Sequence, residues 1–203
     1  LVTCARLGKA QHSGPFSEEF GEIDRKKPVL SQEHLRQHSS ELICLSGCSK
    51  GEIPRLLAAG LWRPALRAAD YYRQIFDEGR FYIEAQNHLL PPPAGGLRYK
   101  LQSLAEWLDL PLVASNNVHY ADRALAQTQD VLVCIRALQT VNEYHPDRKV
   151  NAEYGLKAPH EMAKVFHDQP QALHSTLEIA ERCSWELDLE TLHFPEFDLS
   201  TVG

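Results

Sequence analysis

A chain of 203 residues with 43% hydrophobic and 24% charged residues can bury a core, as one large domain or as part of a larger one. Its formal net charge of −6 argues against a generally basic nucleic-acid-binding surface but leaves room for a local patch, and no apolar run nears the roughly 20 residues of a membrane span. The five cysteines (Cys4, Cys44, Cys48, Cys134, Cys183) are odd in number and lack a Cys-x-x-Cys pair, a pattern of free thiols in a reducing cytosol. No signal-peptide pattern opens the chain, and Leu1 in place of Met reads as the start of a cut-out segment.

In chain order, residues 1–11 read as the end of a helix, and 12–28, with Gly14, Pro15, Gly21 and Pro28, as a loop. Ser31 and Glu33 start a short helix that ends near His38. The run Leu42-Ile43-Cys44-Leu45 predicts a buried strand closed by Ser46-Gly47-Cys48, and Gly51-Glu52 opens the next helix. Ile53, Leu56 and Leu57 with Gly60 fit one amphipathic helix. Pro64, Ala65, Leu66, Ala69, Tyr72, Ile75 and Phe76 fit a second. A strand follows at Arg80–Ala85, rich in aromatic and β-branched residues, and Pro91-Pro92-Pro93 with Gly95-Gly96 marks a loop. Leu97, Leu101, Leu104, Ala105 and Leu108 recur at helical spacing and lead into a strand at Leu112-Val113-Ala114. Strand, helix and strand in this rhythm predict βα units and a parallel sheet, an α/β fold.

Beyond that point the pattern is helical. Ala121–Leu138 is predicted as a helix packing through Leu125, Val131, Leu132 and Ile135. Thr140–Val150 reads as turns, and Asn151–Tyr154 as extended chain. Helices over Pro159–Phe166 and Pro170–Cys183 each open with proline, the second with Leu173, Leu177 and Ala180 inward. Residues 187–198 close the chain as an extended tail. No repeat of fixed period is visible.

Chemistry-bearing residues gather at the ends of the three strands: Cys48 after the first, Glu84 and His88 around the second, and Asn117 and His119 after the third. A parallel sheet or barrel brings its strand ends to one mouth. Cysteine, histidine and carboxylate are the donors of zinc and mixed-metal sites. On an extended segment, Asn117 and His119 would point to one side. No Gly-rich phosphate loop and no Gly-x-Ser-x-Gly elbow is present, and Cys48 with His119 as nucleophile and base lacks a visible oxyanion hole. The aromatics between Arg63 and Arg80 fall at core spacing and read as packing rather than as base-stacking platforms.

Several stretches carry a resemblance. Leu42–Glu52, Arg80–His88, Leu110–Ala121, Asp130–Ile135, Leu156–Phe166 and Pro170–Cys183 resemble the alpha subunits of bacterial DNA polymerase III, in the later part of their PHP (polymerase and histidinol phosphatase) domain. Asn151–Lys157 is also similar to the error-prone paralogue. The resemblance implies a partial, distorted β/α barrel with a helical C-terminal region: residues 1–140 as barrel, residues 141–203 as an extension toward a palm domain. It implies template-directed DNA synthesis by the parent protein, with magnesium at the palm and with DNA and replisome subunits as partners. The location implied is the cytoplasm, with no membrane partner. For the PHP part it implies a structural role or a weak metal-dependent 3′–5′ exonuclease using zinc or other divalent ions. A free-standing PHP phosphoesterase is the alternative. By position, Cys48 matches a cysteine ligand and His119 the histidine of the family's Asp-x-His motif, where Asn117 replaces the aspartate. The family's first ligands, with a His-x-His motif, would precede Leu1. An amide neither carries charge nor bridges cations as a carboxylate does, so the metal site is expected to be incomplete. No catalytic residue is assigned.

Overall fold

The computed structural model describes residues 32–184; the helix expected over 1–11, the loop over 12–28 and the tail over 187–198 lie outside them. The elements run α1 (Gln32–Gln37), β1 (Cys44–Leu45), α2 (Glu52–Ala58), α3 (Trp62–Ile75) and β2 (Phe81–Gln86). They continue with α4 (Leu97–Leu108), β3 (Leu112–Ser115), α5 (Ala126–Ala137), α6 (Pro159–Val165) and α7 (Pro170–Arg182), with 3₁₀ turns at Ala94–Gly96 and Arg123–Leu125. The three strands form a parallel sheet in the order β1-β2-β3. Register is set by Cys44 against Phe81 and by Ile83, Ala85 and Gln86 against Leu112, Ala114 and Ser115.

Strand alternation gives the sheet two unlike faces. Phe81, Ile83, Ala85, Leu112 and Ala114 share one of them, under the helices. Ile53 and Leu57 of α2, Ala65, Ala69 and Ile75 of α3, and Leu101, Leu104 and Ala105 of α4 pack with Phe81 and Ile83 in one cluster. Ala85 and Ala114 pack with Phe166 and Ala172 in a second. Each fully buried Ile or Leu here contributes roughly 1.5–3 kcal/mol. The opposite face carries Glu84, Gln86 and Ser115, which bond to one another instead of to apolar neighbours.

The helix ends follow local chemistry. Pro159 opens α6, and the Glu161 carboxylate accepts the Ala158 N–H at 2.8 Å. The nine-tenths-buried Arg98 at the start of α4 donates to Asp168 at 2.9 and 2.7 Å and to Gln169 at 3.2 Å, tying α4 to the turn before α7. Asp168 is held at about 2, first by its hydrogen bond to Arg98.

Three sequence expectations are corrected. In α5 the buried residues are Val133 and Cys134, while Leu125, Val131, Leu132 and Ile135 are exposed. No layer lies on that apolar stripe among the described residues; Arg148 instead bonds Asp130 at 2.8 and 2.6 Å and folds the following loop back along the helix. In α7 the inward residues are Ala172 and Ser175, with Leu173 partly buried and Leu177 and Ala180 exposed. Small side chains let this helix lie close on β3. Asn151–Tyr154 is a run of bends and turns, and only Gly155 bridges to Tyr120.

Candidate functional site at the strand exits

The chain leaving β1 turns at Gly47, whose φ of +84° favours glycine, and Gly51 lies so close to Ser46 O that a Cβ would sit at 2.8 Å. The Ser46 hydroxyl accepts the Glu84 N–H at 2.9 Å, pinning this exit to β2. Cys48, half-buried, lines a cavity of about 380 Å³ together with Glu84, Gln86, His88 and Tyr154. The Glu84 carboxylate is engaged by the Ser115 hydroxyl and by the Gln86 amide at 2.8 Å. Cys44, one strand turn earlier, is no nucleophile: burial pushes its thiol up to about 11.

The β3 exit is organised by Asn116, the neighbour of the expected ligand. It is buried, and its amide donates to Glu153 O at 3.1 Å and Gly155 O at 2.6 Å while accepting from Lys157 Nζ at 3.2 Å. Asn117 adopts a left-handed φ of +43°, and the strand has ended at Ser115. The extended segment that would align Asn117 with His119 is therefore absent. His119 is exposed and donates its backbone N–H to Tyr154 O at 2.8 Å.

Tyr154 is the hub that the sequence reading missed. Its ring stacks on His88 at 3.8 Å between centroids and 14° between planes, with His119 edge-on at 6.1 Å and Lys149 Nζ at 4.8 Å. His88 Nε2 donates to Asn116 O at 3.1 Å, and burial holds this imidazole below its ordinary value. Gly155 is needed beside Tyr120, since a Cβ there would fall 3.3 Å from the ring. Residues 147–157 lack any hydrophobic period, so nothing in their pattern marks them as part of a site.

Charge at this mouth is positive. Asp147 is shared by Lys50 and by Arg136 at 3.2 Å, and its carboxyl is held below the usual range by the Lys50 contact. Lys149 is pushed down by burial and then by Lys50, and His119 by burial and then by Lys149, Arg136 and Lys50. Cys48 also lies in the field of Lys149, so the exits of β1 and β3 meet around it.

This donor set does not fit the divalent metal cluster that the resemblance implies. Several cations in one site need carboxylates to offset their repulsion. Here a thiol, an amide and an imidazole face fixed ammonium and guanidinium groups, and Glu84 is occupied by Ser115 and Gln86. Among the described residues no group of three or more His, Cys, Asp or Glu is placed to hold a metal ion. Nor is any described helix long and apolar enough to cross a membrane.

Comparison with known proteins agrees with the resemblance. Residues 6–88 match the PHP domain. The chain is 39% identical over 97% of its length to the error-prone DNA polymerase of Symbiobacterium thermophilum. It is 36% identical over 78% of its length to the DNA polymerase III subunit alpha of Treponema pallidum, and 34% over 84% to that of Caulobacter vibrioides. It spans 18%, 13% and 15% of those proteins, less than a fifth of each.

Proposed function

The chain belongs to the family of bacterial DNA polymerase III alpha subunits and error-prone DNA polymerases, of which it carries PHP-region sequence, and from that premise we propose that it is a supporting platform rather than a metal-dependent nuclease. The parent protein synthesises DNA on a primed template through a magnesium-dependent palm, in the cytoplasm, among replisome subunits. Residues 1–140 form the later part of its distorted β/α barrel, of which β1-β2-β3 is one arc, and residues 141–203 lead toward the palm. Cys48, Asn117 and His119 occupy former ligand positions. One observation carries this reading: Lys50, Arg136 and Lys149 set their positive charges around His119, where a nuclease of this family would gather metal ions.

The test is metal content of the purified chain after dialysis with zinc or manganese, together with 3′ shortening of a labelled single-stranded oligonucleotide in the same ions. Substoichiometric metal and an intact oligonucleotide are expected. Stoichiometric metal with shortening, both lost in His119→Ala, would overturn the platform reading.

A further inference from the structure

We propose that the strand-exit mouth is a phosphate-binding site built from Lys50, Arg136 and Lys149, with His119 and Tyr154 at its wall. It rests on the reading that fixed cations, not a metal cluster, furnish the positive charge here.

The geometry comes from three separate parts of the chain. Lys50 follows β1, Arg136 is in the last turn of α5, and Lys149 belongs to the loop after it. Asp147 joins the first two by ion pairs and lies two residues from the third. One carboxylate thus serves three cations, in a protein whose net charge is −6. Lys149 has no carboxylate in ion-pair contact among the described residues; its ammonium rests over the Tyr154 ring, held against the mutual repulsion of the cluster. Such an arrangement costs free energy unless an anion offsets it.

The kind of anion follows from the donors. A guanidinium presents a planar fork and two ammonium groups present point charges, a set that surrounds a tetrahedral oxyanion with several acceptors better than a single carboxylate. His119 is exposed at the same rim and its imidazole can add an N–H donor. Lys50 and Arg136 keep about two thirds of their side-chain surface in solvent, so they can turn from Asp147 to an incoming ligand. A phosphate is either free or part of a DNA strand, and both sources offer the same chemistry to these groups.

The test uses the whole 203-residue chain in EDTA at low salt, with fluorescence anisotropy of a labelled single-stranded oligonucleotide bearing a 3′-phosphate. Saturable binding is expected, weakened at least about tenfold by Lys149→Glu and restored by Lys149→Arg. Arg136→Ala, on an exposed position, should weaken it as well, and each lost contact should lower the salt slope by about 0.7. Circular dichroism melts check that every variant folds. Displacement by millimolar inorganic phosphate assigns the site to the phosphate group alone. Displacement by unlabelled oligonucleotide but not by phosphate assigns it to the DNA strand. No saturable binding, or equal binding by wild type, Lys149→Glu and Arg136→Ala, overturns the proposal and leaves the platform reading standing. Binding that appears only with added zinc or manganese and vanishes in EDTA overturns both.

Discussion

The helix-covered face of the sheet and the strand-exit mouth are held together by different physics. On the covered face, Ile83, Leu104 and Phe166 are fully buried among neighbours supplied by regular helices, and each contact is one of many. At the mouth, single polar bonds from loops carry the structure: one amide, Asn116, holds the backbone of residues 153–155. The first region fixes where the strands end. The second decides what they present, and it can change chemistry without disturbing the sheet.

The sharpest way to test that division is Ile83→Ala. It removes atoms from a side chain with no exposed surface and should cost about 3 kcal/mol in urea denaturation. A cost below about 1 kcal/mol would break the comparison, since the covered face would then not dominate stability. Arg98→Met comes next. It keeps the stem but deletes the bonds to Asp168 and Gln169, at an expected cost of about 2–3 kcal/mol near neutral pH. Asp168 is held at about 2, below its ordinary 3.8, so its contribution is complete above 3.8 and is lost as pH falls through about 2. The gap between wild type and Arg98→Met should close over that window; a constant gap would show that Asp168 is not the titrating partner.

Asn116→Ala belongs to the mouth and should cost less, about 1–2 kcal/mol, with the damage local. Hydrogen exchange is expected to rise over residues 151–157 while β2 stays protected. Equal loss of protection in both would merge the two regions into one cooperative unit. The smallest effect concerns His88, which burial keeps neutral below its ordinary 6.5. Its contribution is complete above 6.5 and declines as pH falls below it, because the unfolded chain takes up the proton first. His88→Phe preserves a ring against Tyr154 and should flatten stability between pH 7 and 5; an unchanged slope would place the titration elsewhere.

The sequence reading succeeds on the covered face and fails at the mouth for the same reason. β2, β3 and the helices α2, α3 and α4 bury large apolar residues at regular spacing, so periodicity finds them, and Gly60 and Pro64 mark ends correctly. In α7 the rule inverts. The helix meets β3 through Ala172 and Ser175, so its largest apolar residue in that stretch, Leu177, faces solvent. In α5 the apolar stripe is likewise outward, and nothing in its spacing distinguishes it from a buried one. Cys48 and His119 were legible as strand-exit residues. The roles of Lys149, Tyr154 and Asn116 were not, because their contacts join positions about 30 to 100 residues apart and leave no local pattern.

The alanine seam of Ala85, Ala114 and Ala172 carries a consequence for how this region tolerates change. In most cores the damaging substitutions are truncations, and adding methyl groups is the milder error. Here the backbone of α7 and the sheet already approach as closely as these side chains permit, so enlargement is the severe direction. In a library of all single substitutions, Ala114→Gly should survive selection more often than Ala114→Leu. Charged and bulky apolar replacements should be purged together, so the position would look selective for size and indifferent to hydrophobicity. Lineages could then vary the exposed stripe of α5 widely while this narrow seam stayed limited to the smallest residues.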